Sequence, residues 1–122
     1  MAWLFIDTHE QGRVRAAWLE NGKVVKRVEK EGRAGILLPL IAADLHKAQS
    51  AKRKLDGVGV VAGPGSFSAV RGGVLDANLI ARLLHVPLLS FRVGEAFDPS
   101  RTPVEYVAPI YDREPNITIP KT

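Results

Sequence analysis

The 122-residue sequence contains no cysteine, which excludes both a disulfide framework and any thiolate metal site and fits a reducing compartment. Long hydrophobic runs are missing too. The apolar stretch from Ala2 to Ile6 has no basic region before it and stops at Asp7, so it is too short for a membrane span and wrongly flanked for a secretory signal. It reads as a first strand; no membrane partner is expected, and the cytoplasm is the expected location. Charge of one sign is gathered nowhere. The formal net charge is +4 and the pI about 9.7, but basic residues are scattered among acidic ones, which describes a moderately basic solvated surface rather than a nucleic-acid-binding block. Internal repeats and low-complexity tracts are absent. What remains is a 46% hydrophobic content, enough for one core in a chain of single-domain length.

Trp3 to Thr8, Arg13 to Leu19 and Lys23 to Glu29 have strand character, and Asn21-Gly22 between the last two suits the positive φ angles of a type I′ hairpin turn. A looser turn at His9 to Gly12 completes an antiparallel meander. From Ala34 to Gln49 the pattern becomes helical, with Leu37, Leu38, Ile41 and Leu45 at three- and four-residue intervals and Pro39 tolerable in the first turn. Gly57 to Ala62 is an apolar run without alternation, as expected of a strand covered on both faces. Ser66 to Leu84 is helical again, and Pro87 to Phe91 gives a fifth strand. The order βββαβαβ predicts an α/β fold with a mixed five-stranded sheet, the topology of one ribonuclease-H-like lobe over residues 1–91. Beyond Phe91, prolines at 99, 103, 109, 115 and 120 interrupt every window long enough for a regular element. Residues 92–122 are expected to form an extended tail, either laid along the lobe or mobile.

The most informative stretch is the turn after the fourth strand, Gly63-Pro64-Gly65-Ser66-Phe67. Its glycines open backbone angles closed to other residues, Pro64 stiffens the turn, and Ser66 is expected to cap the following helix. A helix N-terminus is also an anion site in principle. A Walker loop, however, needs Lys then Ser or Thr after the second Gly, and a dinucleotide fingerprint needs Gly where Ser68 stands. From spacing alone the turn is either structural or an anion contact.

Gly63-Pro64-Gly65-Ser66-Phe67 followed by Arg71 and Gly73 resembles the signature GPGSFTGLRIG of the TsaB or YeaZ family, identical at seven of eleven positions. The departure that matters is Gly72, which puts a helix-weakening residue where the family carries an apolar one. The flanks are similar as well: Ile6-Asp7-Thr8 to the opening IDTS, Leu37-Leu38-Pro39 to LLP in the first helix, and Tyr111 to Thr118 to the closing YxREPxIT. The chain looks like a family member whose second lobe, of roughly a hundred residues by the usual domain-size prior, has been deleted and its ends joined. The resemblance implies an actin-like ATPase (ASKHA) lobe and a non-catalytic role in making N6-threonylcarbamoyladenosine in tRNA. Family members bind the catalytic subunit TsaD, work with the ATPase TsaE, self-associate, and reach tRNA only through the complex.

An enzymatic reading finds little to stand on. ATP binds in the cleft between two lobes in the fold that the resemblance implies, and one lobe makes no cleft. Asp7, at the end of the first strand, is either a vestigial phosphate- or metal-facing acid or simply a strand end bonding local amides. A two-metal nuclease needs further carboxylates on the first helix and fourth strand; the helix offers Asp44 alone and the strand ends in Gly63. His9, His46 and His85 lie far apart, with no spaced partner for a metal site. Neither a metal nor a cofactor is therefore expected.

Both helices carry more apolar surface than a sheet can cover. In the second, Val70, Val74, Ala77, Ile80, Ala81 and Leu84 take one broad side, Leu75, Leu79 and Leu83 make a separate stripe, and Arg71, Asn78 and Arg82 form a polar seam. The surplus is covered either by the tail or by another protein. By the resemblance, Leu38, Ile41, Leu45, Arg71, Leu75, Asn78, Leu79 and Arg82 are the expected partner interface. Asp7 and the turn from Gly63 to Phe67 are the expected signature site.

Overall fold

The computed structural model describes residues 2–50 and 55–111; at Ala34, 47–50 and Phe67 only the backbone is described. The elements are β1 (Ala2–Asp7), β2 (Arg13–Glu20), β3 (Lys23–Glu31), a 3₁₀ turn at Ala34–Ile36, α1 (Leu37–Ser50), β4 (Gly57–Gly63), α2 (Phe67–Leu84) and β5 (Leu88–Arg92). The sheet runs β3-β2-β1-β4-β5. Strands β1, β2 and β3 are antiparallel, whereas β4 lies parallel to β1 and to β5. This is the α/β lobe and element order expected. Boundaries move by one or two residues, and the first helix begins with a 3₁₀ turn. Pro39 falls in the first turn of α1, where its missing N–H has no helical acceptor to lose.

Local chemistry explains each turn. Asn21 (φ 52°) and Gly22 (φ 80°) both take the left-handed conformation of a type I′ hairpin. Just past it, the β2–β3 register slips between Trp18 and Leu19, leaving Val25 as an extra residue on β3. β3 is an edge strand in which only Val28 is even half-buried. Its alternating lysines, arginines and glutamates make that edge a poor template for another strand.

Alternation divides the sheet into two faces. Leu4 and Ile6 of β1 point to the helices and join Val14, Leu37, Ile41, Val60, Val70 and Val74 in the main core, all within 1% of complete burial. All seven residues of β4 are buried, as expected for a strand covered on both sides. Trp3 and Phe5 point the other way and pack with Leu19, Leu89 and Phe91. Gly57 and Gly59 of β4 make room there: a Cβ on Gly57 would strike the Trp3 indole, and one on Gly59 would meet Phe91, Phe5 and Phe97 at 3.0 to 3.2 Å.

Residues 93–111 form no regular element but wrap the β5 edge as a strap. Phe97 closes the second core, its ring 5.5 Å from those of Trp3 and Phe5. Arg101 lies 4.2 Å over the Phe91 ring, donates to the Ser90 carbonyl at 2.7 Å and pairs with Glu95 at 2.7 Å. Val104 N–H donates to the Leu88 carbonyl, and Val107 enters the main core at 2% exposure. The strap thus covers unpaired backbone on one sheet edge, while charge guards the other.

Candidate functional site

Gly63 ends β4 at φ +125°, and its peptide bond to Pro64 is cis. A side chain at Gly63 would be strained at that φ and would run into the Ile110 carbonyl. The strap pins the turn on both sides: Val93 N–H donates to the Gly63 carbonyl at 3.0 Å, and Ile110 N–H to the Ala62 carbonyl at 2.7 Å. Gly65 packs against Val70 and the His9 backbone and forms an isolated bridge with Tyr111. Pro64 is exposed. Phe67 opens α2, but its side chain lies outside the described residues, as does most of the closing segment from Tyr111 to Thr118.

Ser66 differs from its expected role. It occupies the N-cap position of α2, but its side chain makes no capping bond, and its buried Oγ has no partner among the described residues. Only its carbonyl is used, accepting from Val70 N–H at 3.0 Å. The link between β1 and α2 comes instead from Thr8, 1% exposed, whose Oγ1 donates to the Ala69 carbonyl at 2.7 Å. Gly73 lies under that threonine, and a Cβ there would collide with its side chain. Gly72 sits within α2 without interrupting the helix.

Asp7 is held locally. Its Oδ1 accepts from His9 N–H at 3.0 Å and lies 2.6 Å from His9 Nδ1. The strand-end reading thus describes where its hydrogen bonds go. Among the described residues no three His, Asp or Glu side chains gather in a way that could hold a metal ion. His46 and His85 are exposed, and His85 terminates α2 in the left-handed conformation.

On α2 the leucine stripe stands in solvent: Leu75 is 51% exposed, Leu79 46% and Leu83 66%. Arg71 and Arg82, also exposed, lie along one edge of the stripe. Asp76 lies along the other, half-buried, its carboxyl pushed up to about 6 by desolvation. Asn78 is used inside the molecule: its Oδ1 accepts from Val107 N–H and its Nδ2 donates to the Val107 carbonyl, each at 2.9 Å. The strap therefore takes one side of α2 and leaves the leucines open. On α1 the expected interface is narrower. Leu38 and Leu45 are half-buried against the core, and Ile41 is fully buried, so Ile41 is not a surface residue. A helix that contacts a sheet spends its inward positions there, and three-residue spacing alone did not say which positions those were.

Beside the first turns of α2 opens a groove of about 630 Å³, lined by Gln11, Gly12, Arg33, Gly35, Ser68, Ala69, Arg71, Gly72 and Leu75. Of these only Arg71 and Leu75 were expected at a site. Gln11 and Arg33 come from connecting turns, where sequence carries no periodic signal, and Asp76 shows only when the helix is placed against the sheet.

Comparison with known proteins gives this arrangement a family. The family model described as TsaD: tRNA N6-adenosine threonylcarbamoyltransferase matches residues 21–96, more than half of the chain. The chain belongs to this TsaD family. It is 36% identical over 76 residues to the tRNA N6-adenosine threonylcarbamoyltransferase of Legionella pneumophila (strain Corby), a match covering 62% of this chain and 23% of that protein. The transferase of Methylorubrum extorquens (strain PA1) is 33% identical over 75 residues, covering 62% and 22%. Among solved structures, YeaZ from Pseudomonas aeruginosa shares the fold with a TM-score of 0.63 at 24% identity, over 75% of this chain and 45% of that one. A second structure, titled an uncharacterized protein with similarity to peptidase YEAZ from Pseudomonas aeruginosa, gives a TM-score of 0.61 at 26% identity, over 75% and 43%. The chain thus spans about a quarter of the transferases and less than half of YeaZ. No helix among the described residues is long and apolar enough to cross a membrane.

Proposed function

We propose that this TsaB-like chain is a non-catalytic partner subunit in the formation of N6-threonylcarbamoyladenosine in tRNA, and that it binds a TsaD-like catalytic subunit through the outer face of α2. The observation that carries the reading is the stripe of Leu75, Leu79 and Leu83, each about half exposed or more even with the strap in place. Covering the three would contribute roughly 3 kcal/mol, taking about 1 kcal/mol for the exposed part of each side chain. That is enough to matter at an interface whose charged edges set the orientation. Leu38 and Leu45, half-buried on α1, extend the surface, and Arg71 and Arg82 border it. Asp7 and the Gly63 to Phe67 turn serve mainly to hold α2 at its angle to the sheet. A TsaE-like ATPase as a further partner, and contact with tRNA only through the assembled complex, belong to the same reading.

Reconstitution tests it. The chain alone should transfer no threonylcarbamoyl group, and adding it to the catalytic subunit encoded in the same genome should raise tRNA modification. Leu79→Glu should abolish that stimulation while the lobe stays folded by circular dichroism. Stimulation undiminished by Leu79→Glu would defeat the proposal, and a stable homodimer indifferent to the catalytic subunit would replace it with a self-associating module.

A further inference from the structure

Asp76 stands apart from the other acids of the lobe. It is half-buried on α2, and among the described residues its carboxyl has no hydrogen-bond or ion-pair partner, desolvation being all that displaces it. Elsewhere the acids that are not simply exposed are engaged: Asp7 with His9, Asp44 with Lys26. Even on the open surface Glu10 pairs with Arg15, Glu29 with Arg13 and Arg15, and Glu95 with Arg101. Glu105 makes no such bond either, but it is exposed to water. The helix itself supplies Asp76 with no cation: Arg71 precedes it by five residues and Arg82 follows by six, spacings that put both on another side of α2. Leu79 and Leu83 follow it by three and seven, spacings that share one side. A carboxyl at about 6 is mostly ionised at neutral pH. The rim of the exposed leucine stripe thus carries a half-desolvated negative charge that the described part of the lobe leaves unanswered.

We infer that the segment of the catalytic subunit that covers Leu79 and Leu83 brings a Lys or Arg side chain to the Asp76 carboxylate. The inference rests on the docking reading above and adds the chemistry of the covering segment. Closing over the leucines strips the remaining water from the carboxylate beside them, and an enclosed charge without a counter-ion opposes association. A cation delivered with the apolar cover replaces that water with a charge-assisted hydrogen bond. It also sets direction. The stripe has an acid along one edge and Arg82 along the other, so a helix of matching charge lies correctly one way round and meets like charges when reversed.

Asp76→Asn is the test, because it should move binding and folding in opposite directions. Affinity of the full chain for the catalytic subunit encoded in the same genome is measured by calorimetry at neutral pH, beside the melting temperature of the free chain. Asp76→Asn should weaken binding by about tenfold while raising the melting temperature. A residue that served only packing would lower both. Asp76→Glu, which keeps the charge, should retain most of the affinity, and Asp76→Lys should weaken binding by more than Asp76→Asn. Asp76→Asn binding as tightly as the wild type, or more tightly, while Leu79→Glu fails to bind would overturn the counter-ion and leave the docking reading standing. Normal binding by both variants would remove both. A deficit that Asp76→Glu shares in full would also contradict a role for the charge.

Discussion

Replacing Asp76 with Asn should stabilise the lobe at neutral pH and leave it nearly unchanged in acid. Asp76 is half-buried beside the leucine stripe, and desolvation lifts its carboxyl from 3.8 to about 6. The folded state therefore holds this proton more tightly than the unfolded chain does. Well below pH 3.8 both states are protonated and the site carries no penalty; as pH rises from there through about 6 the unfolded chain ionises before the folded one does, and stability is lost. The rise from 3.8 to about 6 is worth about 3 kcal/mol in full burial, and the solvent that still reaches the carboxyl reduces this to about 1 to 2 kcal/mol. Glu95 shifts the other way: its hydrogen bond from Arg101 and the Arg92 N–H hold it down to about 2. Its contribution is complete above about pH 4.5 and is lost only as pH falls toward 2, outside the Asp76 window. Urea unfolding of wild type and Asp76→Asn between about pH 4.5 and 8 should show the variant's advantage growing with pH. An advantage independent of pH, or one that shrinks as pH rises, would refute the reasoning.

Further perturbations probe how α2 is held. Gly73→Val should cost about 2 to 4 kcal/mol in urea unfolding, because the new side chain strikes buried Thr8; Gly73→Ala should cost less in the same direction. Asn78→Ala should cost about 1 to 3 kcal/mol and speed hydrogen exchange at the Val107 amide, whose acceptor among the described residues is the Asn78 Oδ1. Arg101→Ala should return the Glu95 carboxyl toward the ordinary carboxylate range near 4.5, read by NMR titration, because its principal cationic partner is gone.

The parts of the fold legible in the sequence are those governed by short-range rules. Asn21-Gly22 specified a hairpin, uninterrupted apolar residues marked β4, and leucine spacing placed α2. The strap escaped because its contacts follow no period: Phe97, Arg101, Val104 and Val107 each reach a different part of the lobe, and only the finished sheet edge relates them. Ser66 shows the opposite failure, since a residue type that favours caps sits at the cap and does not make the bond. The candidate surface was half legible. Leu75 and Leu79 followed from the helical wheel, but Ile41 proved to face the sheet, and Asn78 spends its amide on Val107. Arg33 and Gln11 could not be found by any pattern, because turns place them beside α2 only once the chain is folded.

Sedimentation velocity of this chain mixed with the catalytic subunit tests the central claim most directly. A complex of defined stoichiometry is predicted for the wild type, with Leu79→Glu sedimenting as a folded but unbound lobe. Two separate boundaries for the wild type, at concentrations where the catalytic subunit is active, would contradict the account.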